Sequence, residues 1–452
     1  MRSVNPTTGE RIAEYPPHEP AEVEHRLARA ASAARTWRTS DFSERADLLR
    51  SLAAALRARR DPLARLATLE MGKPIAQAEG EVEKCAWVCE WAAGHAEAGL
   101  APAPAATPPA RSFVRFDALG VLLAVMPWNF PFWQVFRCAA PAIAAGNAVV
   151  LKHASNVCGC ALAIADVFAA AGAPPGLFEV LLVPASAVAD LIAHPAIAAV
   201  SLTGSEAAGR DVGAAAGRAL KPAVLELGGS DPFLVLADAD PAAVALEAAK
   251  ARLQNNGQSC IASKRFIVEA PVADAFEDAL AARFAAVRTG DPLDRATELG
   301  PLARADLRDD LHAQLSRSVE GGARVRTGGA ALPGPGAFYG ATVVTGVRPG
   351  MAVFDEETFG PLAAVTRARN VEEAVALANQ SRFGLGASVW TGDPARGEAL
   401  AARIEAGAVF VNAIVASDPR LPFGGIKASG YGRELADQGL KAFVNVKSVR
   451  VG

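Results

Sequence analysis

Cys260 lies in "NNGQSCIASKR", residues 255–265, among small and polar residues and shortly after Gly257. The thiolate is the reactive form of cysteine, and it needs backbone donors or nearby positive charge to form. The "GQSC" turn can present backbone N–H groups, and Lys264 and Arg265 follow closely. Taken alone, Cys260 is either a nucleophile or an inert core thiol. The other cysteines, Cys85, Cys89, Cys138, Cys158 and Cys160, read as small buried thiols with no disulfide framework. Cys158 and Cys160 are not in C-x-x-C spacing, and the six histidines form no H-E-x-x-H pattern, so no metal site is expected.

Four other stretches carry groups that can do chemistry. In "LELGGSDP", Glu226 ends an apolar run before two glycines. A carboxylate at the mouth of an apolar sheet suits a general base, or a strand-end ion pair. In "MPWNFPFWQ" (126–134), prolines fix a loop around Asn129, whose amide can meet a developing oxyanion or simply pack in an aromatic turn. In "VVLKHAS", Lys152 at a strand end suits ribose hydroxyls or a phosphate, or solvent. In "TGSEAAG", Gly204 and Gly209 flank a helix start, where free N–H groups and the helix dipole favour a pyrophosphate. The spacing is not G-x-G-x-x-G, so an ordinary strand-to-helix turn fits as well.

These stretches need elements to place them. Residues 21–100 read as helices. Asp41 and Glu44 have capping-box spacing, and Leu49, Leu52, Leu56, Leu63 and Leu66 recur near the helical period. "LAPAPAATPPARS" (100–112) is too rich in proline to continue a helix and reads as a connector. From 119 to 237, apolar runs at 120–126, 148–152, 178–183, 198–204 and 223–227 alternate with helical stretches. That is the pattern of a doubly wound parallel sheet, which binds ligands at the carboxyl ends of its strands. Residues 232–412 repeat the alternation as a second α/β unit. The tail "FVNVKSVRV" (443–451) alternates and can pair with the strand-like residues 113–116.

With 452 residues, 51% of them hydrophobic and 21% charged, the chain has the composition of a globular protein of two or three domains. A net charge of −3 gives no electrostatic footprint for nucleic acid or an anionic membrane. The start has no apolar signal core, and "LGVLLAVM" (119–126) is too short to span a bilayer, so a cytoplasmic protein acting on small molecules is expected.

In order and spacing, "PWNFP", "LELGG", "GQSC" and "EETFGP" (356–361) together resemble the aldehyde dehydrogenase superfamily, and the resemblance runs from "NPTTGE" (5–10) to "PFGGIKASGYGRE" (422–434). It implies an aldehyde dehydrogenase-like α/β fold. Residues 1–106 and 119–229 would form the dinucleotide-binding domain, 230–425 the catalytic domain, and 107–118 with 435–452 the oligomerisation strands of a homodimer or homotetramer. It implies that Cys260 attacks an aldehyde, that Asn129 and the Cys260 N–H hold the oxyanion, and that Glu226 activates the water that hydrolyses the thioester. NAD or NADP would be held by Trp128, Lys152, Ser155, Gly204, Ser205, Gly209, Glu357 and Phe359.

Ser155 stands where NAD-preferring members carry a glutamate that would repel a 2′-phosphate, and His153 stands where proline commonly follows the lysine. Ala262 stands where some relatives carry a second, redox-switching cysteine. "VLKHASNVCGCA" and "LELGGSDPF" look most like bacterial NAD(P)-dependent succinate-semialdehyde dehydrogenases. Arg137 and Ser417 match residues that bind the substrate carboxylate there. Gln254 replaces a second arginine found in another subgroup, and Arg420 is a candidate substitute. Another small or ω-carboxy aldehyde, such as glutarate semialdehyde, is the alternative substrate. A catalytically silent member of the family is the other alternative.

Overall fold

A computed structural model describes residues 1–107 and 110–452. Two sheets organise the chain. In the first, the strand order is Gly430–Tyr431, Ala223–Glu226, Ile197–Thr203, Val121–Met126, Ala148–His153, Phe178–Val180. All pairings are parallel except that of Gly430–Tyr431 with Ala223–Glu226. Val121–Met126 and Ala148–His153 are buried at every position, as helices on both faces require. The chain first winds outward from Val121–Met126 to Phe178–Val180, then returns to build Ile197–Thr203 on the other side. The winding therefore reverses between Val121–Met126 and Ile197–Thr203, where a crevice opens at the strand ends. The loops leaving those two strands are "PWN" and "GS".

The second sheet runs Arg324–Thr327, Thr342–Thr345, Leu362–Ala368, Arg265–Glu269, Pro232–Val235, Gly386–Trp390, Ala408–Val411. Only Arg324–Thr327 is antiparallel. Its central strands Pro232–Val235 and Arg265–Glu269 are also fully buried. "LGGSD" joins the first sheet to the second after Glu226.

A third sheet has three antiparallel strands. Val444–Val451 pairs with Ala110–Ala118 in register from Val444 with Ala118 to Val451 with Arg111. This is the distant pairing that the alternating patterns predict. The connector expected at 100–112 is more ordered than its composition suggests: Ala103–Thr107 forms the third strand. It sits at a sheet edge, where Pro104 removes no needed donor. Pro108 and Pro109, within that expected connector, lie outside the described residues.

The amino-terminal region forms four helices, Pro20–Trp37, Phe42–Ala58, Arg60–Met71 and Ile75–Gly99. Asp41 occupies the N-cap of the second, but its side chain makes no capping hydrogen bond, so the capping box predicted with Glu44 does not form. Leu49, Leu52, Leu56 and Leu63 are buried as their spacing predicts, whereas Leu66 is only partly buried against the same core. Glu81, on Ile75–Gly99, accepts hydrogen bonds from the Phe132 and Trp133 N–H groups at 2.8 and 2.9 Å, and its other oxygen pairs with buried Lys73. That carboxylate caps the helix Trp133–Ala144, which carries Arg137.

Candidate active site

The turn holding Cys260 has an unusual backbone. Asn255, Asn256 and Gly257 are successive left-handed residues with φ of 53°, 58° and 74°. Asparagine and glycine tolerate this region best, and the side chains anchor it. Asn255 Nδ2 donates to the Asn129 and Gln258 carbonyls at 2.7 and 2.9 Å. Asn256 Nδ2 donates to the Gly72 and Pro301 carbonyls, each at 2.9 Å. At Gly257 a Cβ would stand 2.2 Å from the Gly360 carbonyl oxygen. Only glycine lets the two strands of chain approach this closely.

Lys264 is fully buried, and its ammonium donates to the carbonyls of Ser259, Cys260 and Ala262 at 3.0, 2.9 and 3.1 Å. It staples the turn. Arg265 does the same beneath, donating to the Ser230, Leu377 and Ala378 carbonyls. The basic pair that follows the cysteine is therefore first a scaffold. The Cys260 N–H has no intramolecular acceptor among the described residues, which leaves it free for an oxyanion.

Of the six cysteines, all free, Cys260 alone is not buried. Its thiol lies deep and lines both of two cavities that meet at it. Burial pushes that thiol up to about 12, against the pull of Arg137 and Lys264, so it is protonated at neutral pH and would need a base to act as a nucleophile.

One cavity, of about 400 Å³, is lined by Trp128, Asn129, Gly204, Ser205, Gly228, Arg304, Glu357 and Phe359 as well as Cys260. It lies at the winding reversal of the first sheet. Glu357 accepts from the Gly229 N–H at 3.0 Å and sits 3.7 Å from Lys264 Nζ. Phe359 meets Trp128 edge-on at 5.7 Å. Ser205 caps the helix Glu206–Arg218, accepting from the Ala208 N–H at 3.3 Å. Gly209 lies one turn inside that helix and does not line the cavity; a Cβ there would overlap Leu227 at 2.4 Å. It serves the packing of the helix on the sheet. Lys152 and Ser155 also stand outside the cavity wall, at the end of the neighbouring strand, with Lys152 buried and Ser155 exposed.

Asn129 is placed by "PWNFP" and by its neighbours. Its Nδ2 donates to the Gln258 carbonyl at 3.1 Å, which leaves one N–H of the amide for a ligand. His153 explains why this loop is rigid without the usual proline after the lysine. Its imidazole reaches the Pro131 carbonyl at 2.8 Å and accepts from the Ala154 N–H at 2.9 Å.

The second cavity, of about 280 Å³, opens on the other side of Cys260. Arg137, Ser417, Lys84, Trp133, Gln254 and Phe423 line it. Arg137 is not on a helix surface. It is 2% exposed, ion-paired with Glu434, and donates from Nη2 to Thr203 Oγ1 at 3.1 Å. Arg420 does not substitute for the missing second arginine. It is exposed, forks onto Asp418 and stacks over Trp87 outside the cavity. Lys84 and Arg304 belong to these walls, with Glu434 behind Arg137, and none of them was singled out by the sequence, where each reads as an ordinary surface charge.

Glu226 is 2% exposed, and neither carboxyl oxygen has a hydrogen-bond partner. Burial, and then the Glu434 carboxylate, push it well above the ordinary carboxylate range, with Arg137 and Arg433 pulling the other way. Gly430 pairs opposite Glu226 in the sheet, and a Cβ on Gly424 would lie 2.5 Å from Glu226 Oε1. A carboxyl this enclosed and this unpartnered has the perturbed proton affinity expected of a general base.

The chain matches the aldehyde dehydrogenase family over residues 1–449. It belongs to that family. A probable NADP(+) succinate-semialdehyde dehydrogenase of Synechocystis sp. is 50% identical over 449 residues, covering 99% of both chains. An NAD(P)+ succinate semialdehyde dehydrogenase of Escherichia coli (strain K12) is 47% identical over 447 residues, 99% of this chain and 97% of that one. The crystal structure of succinic semialdehyde dehydrogenase from Streptococcus pyogenes, in complex with NADP+, superposes with a TM-score of 0.97 at 36% identity, covering 100% of this chain and 99% of that one. The aldehyde dehydrogenase fold is thus shared over the full length, and no described helix is long and apolar enough to cross a membrane.

Proposed function

We propose that this aldehyde dehydrogenase oxidises succinate semialdehyde to the acid, using NADP or NAD. The observation that carries the reading is the place of Cys260, which is shared by a cofactor-shaped cavity and a cavity bearing cationic groups. The first fits a dinucleotide: a capped helix N-terminus, a preset carboxylate at Glu357, an aromatic pair, and Gly228, whose missing side chain leaves room for Glu357. Lys152 and Ser155 would hold the adenosine ribose, and Ser155 brings no charge against a 2′-phosphate. A nicotinamide cofactor bound there supplies the hydride acceptor.

The chain's own residues do the rest. Cys260 Sγ bonds to the aldehyde carbon and loses its proton to a base. Asn129 Nδ2 and the Cys260 N–H hold the oxyanion. After oxidation the thioester is cleaved by water, whose proton Glu226 takes when ionised. Arg137 and Ser417 line the cavity where a tail carboxylate would lie, Ser417 with a hydroxyl and Arg137 with its charge balanced by Glu434.

The division into a cofactor domain at 1–106 and 119–229 and a catalytic domain at 230–425 is supported by the two sheets. The exposed three-stranded sheet, with Val446 62% exposed, supports assembly into a homodimer or homotetramer, which light scattering reads directly. Six free cysteines accord with the reducing cytoplasm.

The deciding experiment is a kinetic matrix of two- to six-carbon aldehydes, with and without a terminal carboxylate, against both cofactors. The reading requires preference for the carboxylate-bearing aldehydes. Equal activity on capped and carboxylate-bearing aldehydes sinks it.

A further inference from the structure

The charges around the second cavity do not cancel evenly. Arg137 is neutralised by Glu434, and Glu81 by Lys73. Asp418, nearby, is held by Arg420. Lys84 has no ion-pair partner among the described residues. Its ammonium donates to Ser417 Oγ at 2.8 Å and sits 4.4 Å over the Trp133 ring. Three separate elements meet here: the helix Ile75–Gly99, the helix Trp133–Ala144, and the loop following Ala408–Val411. Ser417 accepts from Lys84 with a lone pair, so its own hydroxyl proton is free to donate. Ammonium and hydroxyl together offer two donors to the two oxygens of one carboxylate. Arg137 cannot do this as well, because its charge is already spent on Glu434 and its plane lies over Phe423 at 4.6 Å.

We propose that Lys84 is the specificity-determining cation of this enzyme, and that its ammonium, with the Ser417 hydroxyl, binds the tail carboxylate of the aldehyde. This rests on the carboxy-aldehyde reading above and names the group that confers it. The recognition is a charge-assisted hydrogen-bonded pair in a half-enclosed apolar cavity, where it is stronger than at the surface. Burial, and then Arg137, pull the Lys84 ammonium down to about 8, while Cys85, Asp418 and Glu81 pull it up. Above that pH the free enzyme loses the charge.

The test is the selectivity ratio, kcat/KM for succinate semialdehyde over kcat/KM for butanal, an uncharged aldehyde of the same length. Taking the ratio cancels the titrations of Cys260 and Glu226. Lys84→Met should lower the ratio roughly 10–100-fold, the span of one charged hydrogen bond, and Lys84→Arg should restore part of it. The wild-type ratio should fall above about pH 8, a measurement that needs no variant to fold. An unchanged ratio in Lys84→Met, or equal losses on both aldehydes, overturns the assignment while leaving the carboxy-aldehyde reading intact. A wild-type enzyme that does not prefer succinate semialdehyde to butanal overturns both.

Discussion

His153 Nε2 lies 2.8 Å from the Pro131 carbonyl oxygen, tying the end of one parallel strand to the loop that carries Trp128 and Asn129. Burial lowers this imidazole to about 4 from an ordinary 6.5, so it is neutral; Nε2 faces the Pro131 carbonyl, and Nδ1 faces the Ala154 N–H at 2.9 Å and the Met126 carbonyl at 3.1 Å. The unfolded chain binds this proton more readily, so the folded state loses stability as pH falls from 6.5 toward 4. His153→Ala should remove that part of the acid slope in urea titrations. It should also cost about 1–3 kcal/mol at neutral pH by leaving a buried carbonyl unpaired, and lower kcat by loosening Asn129. A variant with unchanged stability and kcat would show that the loop does not depend on this imidazole.

Burial, and then Glu434, raise the pKa of Glu226 above the ordinary carboxylate range, so hydrolysis of the thioester should speed up as pH rises and this carboxyl ionises. In Glu226→Gln that rising limb should vanish. Stopped-flow absorbance should then show a burst of about one reduced cofactor per site followed by turnover slowed roughly 100-fold or more. Steady turnover without a burst would place the base elsewhere.

Gly228 leaves room for Glu357: a Cβ there would come within 2.2 Å of Glu357 Oε2. Gly228→Ala should push that carboxylate off the Gly229 N–H and raise the cofactor KM roughly tenfold, the effect of one lost charge-assisted hydrogen bond. The KM for aldehyde should move much less. Parallel changes in both constants would indicate a general distortion instead.

Cys260 is the one cysteine that is not buried, yet its thiol is pushed up to about 12. Iodoacetamide should therefore modify one cysteine in the native enzyme and six after denaturation. The native rate should rise about tenfold per pH unit between pH 7 and 9, following the thiolate fraction. Peptide mass mapping identifies the residue. A fast, pH-independent rate would mean that a neighbour already holds the proton.

Much of the fold and site is legible in the sequence because it is built from strand ends. Glu226, Lys152 and Gly204 each close a continuous apolar run, and parallel strands deliver such termini to one edge. Cys260 and Asn129 stand out because asparagine, glycine and proline surround them. Lys84 is not legible, since "EVEKCAWVCEW" shows only a charged residue in a helix, and nothing local says that Trp133 and Ser417 close over it. Glu434 is hidden for the same reason: its partner Arg137 is nearly three hundred positions away. The edge strand Ala103–Thr107 was hidden by Pro104, whose cost is small at a sheet edge.

The final stretch of chain is threaded through three different sheets. Ile426–Lys427 pairs with Phe383–Gly384, Gly430–Tyr431 with Ala223–Glu226, and Val444–Val451 with Ala110–Ala118. Glu434, the counter-charge of Arg137, lies on the same segment. During synthesis, Cys260, Glu226 and Asn129 therefore leave the ribosome long before the seam that closes over them. A nascent chain that stops short of this segment has Cys260 but lacks the strand pairing at Glu226 and the counter-charge of Arg137, so the pocket is finished only once this segment has been made.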